Sequence, residues 1–176
     1  MAASELLDVL DESDQVIGTV LRREVHARGL PHRAVHILVR DSVGRLLLQL
    51  RAASKDTAPG KWDTSVGGHV TSGDTPLDSA LREAREELGI KLAPSDLSPL
   101  PSHRVDLPLD RERVSNWETL HEGPFDPDPS EVADIGWFDA TQIQALLAAD
   151  ACTPHFRTQW DVWLQAHMGR AHQSAP

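Results

Sequence analysis

Apolar residues fall in short blocks along the chain. Leu6 to Leu10 and Val16 to Leu21 are apolar-rich and flank Asp11-Glu12-Ser13-Asp14, which predicts a hairpin or strand pair. Val35-His36-Ile37-Leu38-Val39 and Leu46-Leu47-Leu48-Gln49-Leu50 predict two further strands, with turn chemistry in Asp41-Ser42-Val43-Gly44 between them. Two continuous apolar runs joined so tightly suggest central strands of a sheet. Residues 51–63 are polar and broken by Pro59-Gly60, so a loop is expected there. Thr64-Ser65-Val66 leads into Gly67-Gly68.

The pattern then changes period. Leu77, Ala80, Leu81, Ala84 and Leu88 recur at three- and four-residue spacing, which makes one face of a helix apolar. Thr75 suits the N-cap, Pro76 the first helical position and Asp78 the first turn, where the helix dipole favours an acid. Gly89 supplies a left-handed stop. From Leu92 to Pro108 prolines interrupt the chain and strand edges are weakly marked. Residues 114–120 and 135–138 read as strands, with a turn-rich connection over 123–130. A helix is expected over 140–149. An amphipathic one follows over 156–167, with Trp160, Trp163 and Leu164 on one side, and fraying from Gly169 to Pro176. There is no repeat and no linker, so residues 1–176 read as one α/β domain, with N-terminal strands at 6–21 and C-terminal helices at 140–168.

Composition narrows the chemistry. The 176 residues carry a formal net charge of -10, with Asp+Glu 27 against Lys+Arg 17. That balance argues against a nucleic-acid polymer as partner, which needs a basic footprint. It permits small phosphorylated substrates, because a bound metal ion reverses the local field. The single cysteine, Cys152, excludes an internal disulfide, favours a reducing, cytoplasmic setting and reads as a packing residue. The acidic N-terminus lacks the features of a signal peptide, and no stretch reaches the length of a membrane span. A monomer or homodimer is expected.

The polar flank of the long helix holds the candidate chemistry. Glu83, Glu86 and Glu87 lie three and four apart, so their side chains emerge over about one turn. Like charges at this spacing cost an isolated helix roughly 0.2–0.5 kcal/mol per pair, offset in part by Arg82 and Arg85. Such a flank suits a hard divalent cation, Mg²⁺ first and Mn²⁺ second, but solvated acidic faces are also common. Gly67-Gly68 in front decides between the two, because backbone there approaches a metal or phosphate unobstructed.

These residues carry a family resemblance. The Nudix box, G-x5-E-x7-R-E-U-x-E-E-x-G-U with U apolar, is matched over residues 68–90. Gly68 and Asp74 are followed by Arg82-Glu83-Ala84-Arg85-Glu86-Glu87-Leu88-Gly89-Ile90. At roughly one in twenty each, the five positions Arg82, Glu83, Glu86, Glu87 and Gly89 match by chance about once in 3 million starts. Asp74 stands where the family usually has Glu, and Ala84 is a small occupant of an apolar position. The resemblance implies an α/β/α sandwich with a mixed sheet and metal-dependent hydrolysis of a diphosphate linkage. It implies Glu83, Glu86, Glu87 and the Gly67 carbonyl as metal ligands, with Glu83 also the general base, oriented by Arg82. Glu131, ahead of Trp137-Phe138, is an auxiliary acidic ligand or a surface carboxylate. Substrate contact falls to Arg51, Trp62, Gly68 and His69, while Trp62, Trp117 and Phe125 can stack on a base or serve in packing.

A second resemblance covers most of residues 6–90 and points to the branch containing isopentenyl-diphosphate isomerase. It is carried by Leu7 to Glu12, His32-Arg33-Ala34, Leu46 to Arg51 and Pro59-Gly60-Lys61-Trp62-Asp63. His26, His32 and His69 resemble that enzyme's metal histidines, with the first spacing one residue short, although each taken singly reads as structural or substrate-contacting. The isomerase needs a cysteine in the loop before the last histidine, where this chain reads Ser65-Val66-Gly67-Gly68. It also lacks the intact R-E-x-x-E-E series. Hydrolysis is therefore favoured; an isomerase-like enzyme and a non-catalytic binding module of the same fold are the alternatives.

Overall fold

The computed structural model describes residues 5–55 and 57–173. The N-terminal hairpin forms as expected. Strands β1 (Leu6–Leu10) and β2 (Val16–Leu21) pair antiparallel as a separate two-stranded sheet. A short helix that the pattern does not announce, α1 (Arg22–Arg28), follows at once. Its C-cap Gly29 has φ 60, and a Cβ there would lie 2.6 Å from the Pro108 carbonyl oxygen, so this position needs glycine on both counts.

The main sheet is mixed. Its order is β5 (Trp62–Asp63), β4 (Leu46–Arg51), β3 (Pro31–Arg40), β8 (Asp110–Leu120) and β7 (Ser98–Leu107), while β6 (Val66–His69) pairs with β3 and β9 (Val132–Phe138) with β4. Strands β3 and β8 run parallel through ten registered positions, His32 beside Glu112 among them. The expected β3–β4 hairpin is present but pairs only at its neck, Arg40 with Leu46. Beyond that point the strands splay. The gap is closed by side chains, because the Ser65 hydroxyl accepts from the Val39 N–H at 2.7 Å and donates to the Leu47 carbonyl at 2.5 Å. Thr64 Oγ1 donates to the Ile37 carbonyl at 3.1 Å beside it.

Helices cover both faces. Helix α2 (Pro76–Leu88) has its limits where the sequence put them, with the Thr75 hydroxyl accepting from the Asp78 N–H and Gly89 in the left-handed region. Its Ala80, Ala84 and Leu88 pack on Val35, Ile37, Val39, Leu47 and Val66. On the other face α3 (Ala140–Ala148) and α4 (Pro154–Gln173) contribute Ile143, Leu147, Phe156 and Trp160 to a cluster with Leu38, Leu46 and Leu48. Full burial of each large apolar side chain contributes about 1.5–3 kcal/mol. Helix α4 continues to Gln173, beyond the fraying expected from Gly169, and residues 174–176 lie outside the described residues. Strand β7 runs through the proline-punctuated stretch that the pattern left weak. No described helix is long and apolar enough to cross a membrane.

Ser65 is completely buried, so Ser65→Ala leaves a buried N–H and a buried carbonyl without partners. Each such loss costs about 1–3 kcal/mol. The variant is expected to unfold at lower denaturant concentration, with a stability loss of about 2–4 kcal/mol by chemical denaturation.

Candidate active site

The splay between β3 and β4 opens on a cleft of about 670 Å³. One wall is the loop and helix singled out in the sequence. The Glu87 carboxylate is buried there, and its Oε2 accepts from the Gly67 N–H at 3.0 Å and from Gln49 Nε2 at 3.1 Å. Both donors take the same oxygen, which leaves Oε1 for a ligand in the cleft. A Cβ on Gly68 would overlap the Glu83 carboxyl group, so glycine here is the condition for Glu83 to lie against the loop. Arg82 braces the wall. Its Nη1 donates to Glu83 Oε1 at 2.7 Å and to Glu86 Oε2 at 3.1 Å, and its Nη2 to the His69 carbonyl at 3.3 Å. Arg82 bonds to Glu83, Glu86, the His69 carbonyl and Thr71 rather than to Asp74, consistent with Asp74 being one methylene short of the family's Glu.

Burial penalises the charged form of these acids. It pushes Glu83 up to about 7 against the pull of Arg82, and Glu87 up to about 8 with the Glu83 charge adding to the effect. Glu86 is half exposed and does not line the cleft; Glu131 does, in an ion pair with Lys55. The Lys55 ammonium, lowered by burial, also feels the charges of Glu87 and Glu83.

The expected substrate-contact residues divide. Gly68 and His69 line the cleft, as does Arg51, whose Nη1 donates to Asp63 Oδ2 at 3.1 Å. Trp62 does not. Its ring packs edge-on against Phe138 at a centroid distance of 4.7 Å, because the β4–β5 pairing turns it toward the α3–α4 side. Trp117 and Phe125 pack against the α2 core and also lie away from the cleft. Packing is thus the role of all three aromatics. Cys152 is buried, absent from the cleft lining and pushed up to about 11 by burial, so it offers no thiolate there.

The opposite wall carries groups that sequence reasoning took one at a time or missed. His26 on α1, His32 on β3 and His69 on β6 come together with ring centroids 5.1 to 5.6 Å apart. Among the described residues, two sets of three side chains have ligand atoms all within 4.8 Å of one another: His26/His32/His69 and His32/Asp110/Glu112. The three box glutamates do not form such a set. His32 Nδ1 lies 3.0 Å from the Leu30 carbonyl, a bond that requires the proton on Nδ1 and leaves Nε2 as a lone pair. That Nε2 is 3.9 Å from both Asp110 Oδ1 and Glu112 Oε1. An acceptor facing two carboxylates is repulsive until a cation or proton lies between them. His32 Nε2 and Asp110 Oδ1 are indeed buried without a hydrogen-bond partner.

His155, in the first turn of α4, stands behind this group. Its Nε2 is 3.2 Å from Asp110 Oδ2 and 3.6 Å from Glu112 Oε2. Burial opposes its charge, but the Asp110 bond and the Glu112 charge prevail and raise it to about 9. Burial pushes Glu112 up to about 7, while His32, His36 and His69 are held below the usual imidazole range, chiefly by burial. Asp110 and Glu112 carried one available signal, carboxylates two apart that face the same side of a strand. His155 carried only its place after a Thr-Pro helix start.

These shifts imply a pH dependence. Glu83, Glu87 and Glu112 keep protons in the folded chain that an unfolded chain has lost by about pH 4.3, so their contribution to stability is lost as pH rises through their raised values of about 7 to 8. The raised His155 contribution is lost toward about 9 in the same direction. The depressed histidines act oppositely, but their contribution is complete above about pH 6.5. With EDTA present the thermal midpoint is therefore expected to fall by several degrees between about pH 7 and 9. Added Mg²⁺ shrinks the fall by favouring deprotonated carboxylates. Differential scanning calorimetry checks this; a midpoint that rose over that range would contradict the assignment.

Comparison with known proteins agrees with this architecture. The family model described as NUDIX domain matches residues 30–158. An uncharacterized Nudix hydrolase of Yersinia pestis is 36% identical over 167 residues, covering 93% of this chain and 87% of that protein. Another, of Streptomyces coelicolor, is 45% identical over 151 residues, covering 83% and 81%. Among solved structures, DR0079 from Deinococcus radiodurans superposes with a TM-score of 0.72 at 31% identity, over 85% of this chain and 92% of that one.

Proposed function

This chain belongs to the NUDIX family, hydrolases that act on pyrophosphate bonds, and we propose that it cleaves a diphosphate linkage in a nucleoside di- or triphosphate or a related nucleotide derivative. The observation that carries this reading is the buried carboxylate wall, where Glu83 and Glu87 face the cleft beside Gly67-Gly68. Two acids held there cost free energy unless the cleft takes up positive charge.

In this reading Glu87 and the Gly67 carbonyl would hold a divalent cation, joined by Glu86 once it turns from Arg82 into the cleft and by Glu131 as the auxiliary acid once Lys55 yields it. All-oxygen donors favour Mg²⁺, with Mn²⁺ as substitute. A bound divalent ion acidifies water and neutralises phosphoryl oxygens. The protein does the rest. Glu83, set near neutrality by burial, accepts a proton from the attacking water, and Arg82 fixes its orientation. Arg51 and Lys55 bring positive charge to the same cleft for the phosphates.

The histidine wall fits a second cation. Two triads that share His32, one of imidazoles and one with Asp110 and Glu112, offer nitrogen and oxygen donors side by side, and the unpartnered atoms of His32, Asp110, Glu112 and His155 support an ion there. Such a set suits Mn²⁺, Fe²⁺, Co²⁺ or Zn²⁺ more than Mg²⁺. That wall is what an isomerase-like enzyme shares, but the thiol that such chemistry needs is outside the cleft.

Phosphate release from a panel of nucleoside diphosphate derivatives, prenyl diphosphates and thiamine diphosphate, with and without Mg²⁺, tests the proposal. Mg²⁺-dependent release from a nucleotide is expected. Glu86→Gln and Glu87→Gln should abolish it with circular dichroism unchanged, and Glu83→Gln should lower kcat by about 10²–10⁴. Wild-type turnover in both Glu86→Gln and Glu87→Gln would refute the box assignment, and no release from any substrate would point to the binding-module reading.

A further inference from the structure

We propose that His155 is a positioning residue, the outer group that holds Asp110 and Glu112 in place for a cation bound at His26, His32 and His69. The inference rests on the reading of the histidine wall as a cation centre. It goes beyond that reading in assigning a role to a residue on a different element.

The geometry divides each carboxylate in two. Asp110 turns Oδ1 toward His32 Nε2, at 3.9 Å, and Oδ2 toward His155 Nε2, at 3.2 Å. Glu112 does the same, with Oε1 at 3.9 Å from His32 and Oε2 at 3.6 Å from His155. The inner oxygens thus face the histidines, while the outer ones face one imidazole at ion-pair distance, with Glu112 Oε2 and His155 Nε2 themselves free of any hydrogen bond. A carboxylate that binds through one oxygen and is ion-paired through the other is held in direction, and loss of such an outer partner typically weakens metal binding about 10–100-fold.

His155 is itself held. Thr153 Oγ1 accepts from the Phe156 N–H at 3.0 Å and so caps the start of α4, and it donates to Asp63 Oδ1 at 2.7 Å. Asp63 Oδ2 takes Arg51 at 3.1 Å. The helix start that carries His155 is therefore anchored to strand β5. Its side chain is only 17% exposed, so little freedom remains to it.

Co²⁺ is the probe, added to the full chain and followed by its visible absorption and by calorimetric titration. The wild-type chain should show a Co²⁺ band that His32→Ala removes. His155→Phe and His155→Asn, which cannot reach both carboxylates with an N–H, should weaken Co²⁺ binding at this centre by about 10–100-fold and shift the band. His155→Gln, whose amide N–H reaches near the Nε2 position, should stay within several-fold of wild type. Far-UV circular dichroism should be the same for all, and the Asn and Gln pair remains informative if the Phe variant fails to fold. Wild-type affinity in His155→Asn would overturn the proposal. So would tighter binding, which would make His155 a competing internal cation. An equal Co²⁺ content in wild type and His32→Ala would instead defeat the cation reading of the histidine wall, and the proposal with it.

Discussion

The buried hydroxyl of Ser65 sets the geometry on which the rest of this molecule depends. Strands β3 and β4 leave their hairpin together, yet they exchange backbone pairing only at Arg40 and Leu46. Two strands that part inside a core normally strand their N–H and carbonyl groups. Here Ser65 takes one group from each strand, and Thr64 takes a carbonyl beside it. The separation becomes affordable, and the space it creates is the cleft. Gln49 from β4 and Gly67 from β6 meet there on the same Glu87 oxygen.

Charge is the second organising principle. The cleft gathers acids from α2, β5, β8 and the turn before β9, and four of them have a cation beside them: Glu83 has Arg82, Glu131 has Lys55, Asp63 has Arg51 and Asp110 has His155. Balance by protein cations alone is incomplete, because Glu83, Glu87 and Glu112 remain raised by burial. A site of this kind is stable enough to fold and still receptive to a divalent ion. The two walls differ in kind as well. One offers oxygen, and the other offers nitrogen with oxygen.

The box helix was legible from its ends inward, since Thr75, Pro76 and Gly89 are local signals that need no tertiary information. Helix α1 was not. It has seven residues, no side-chain N-cap and one buried residue, Val25, so it exists through its neighbours rather than through its own pattern. Strand β7 was obscured by Pro99 and Pro101, which an edge strand tolerates. The spacing of the glutamates was readable because one helix carries all three. The histidine wall was not, because it is assembled from α1, β3, β6, β8 and α4. Only the parallel register of β3 with β8 brings Glu112 beside His32. The expected role of Trp62 failed for a related reason, since the side of a two-residue strand cannot be told from its composition.

His69 belongs to both walls at once. Its carbonyl accepts from Arg82 and so steadies the box, while its ring faces His26 and His32. Main chain and side chain at this one position therefore answer to different demands. Point replacement of the ring would alter the nitrogen wall and spare the carbonyl that Arg82 uses. Insertion or deletion between Val66 and Thr71 would displace both together. The ring at this position can therefore be exchanged for another chemistry only within a segment of fixed length, in which Gly68 stays glycine and the carbonyl still reaches Arg82.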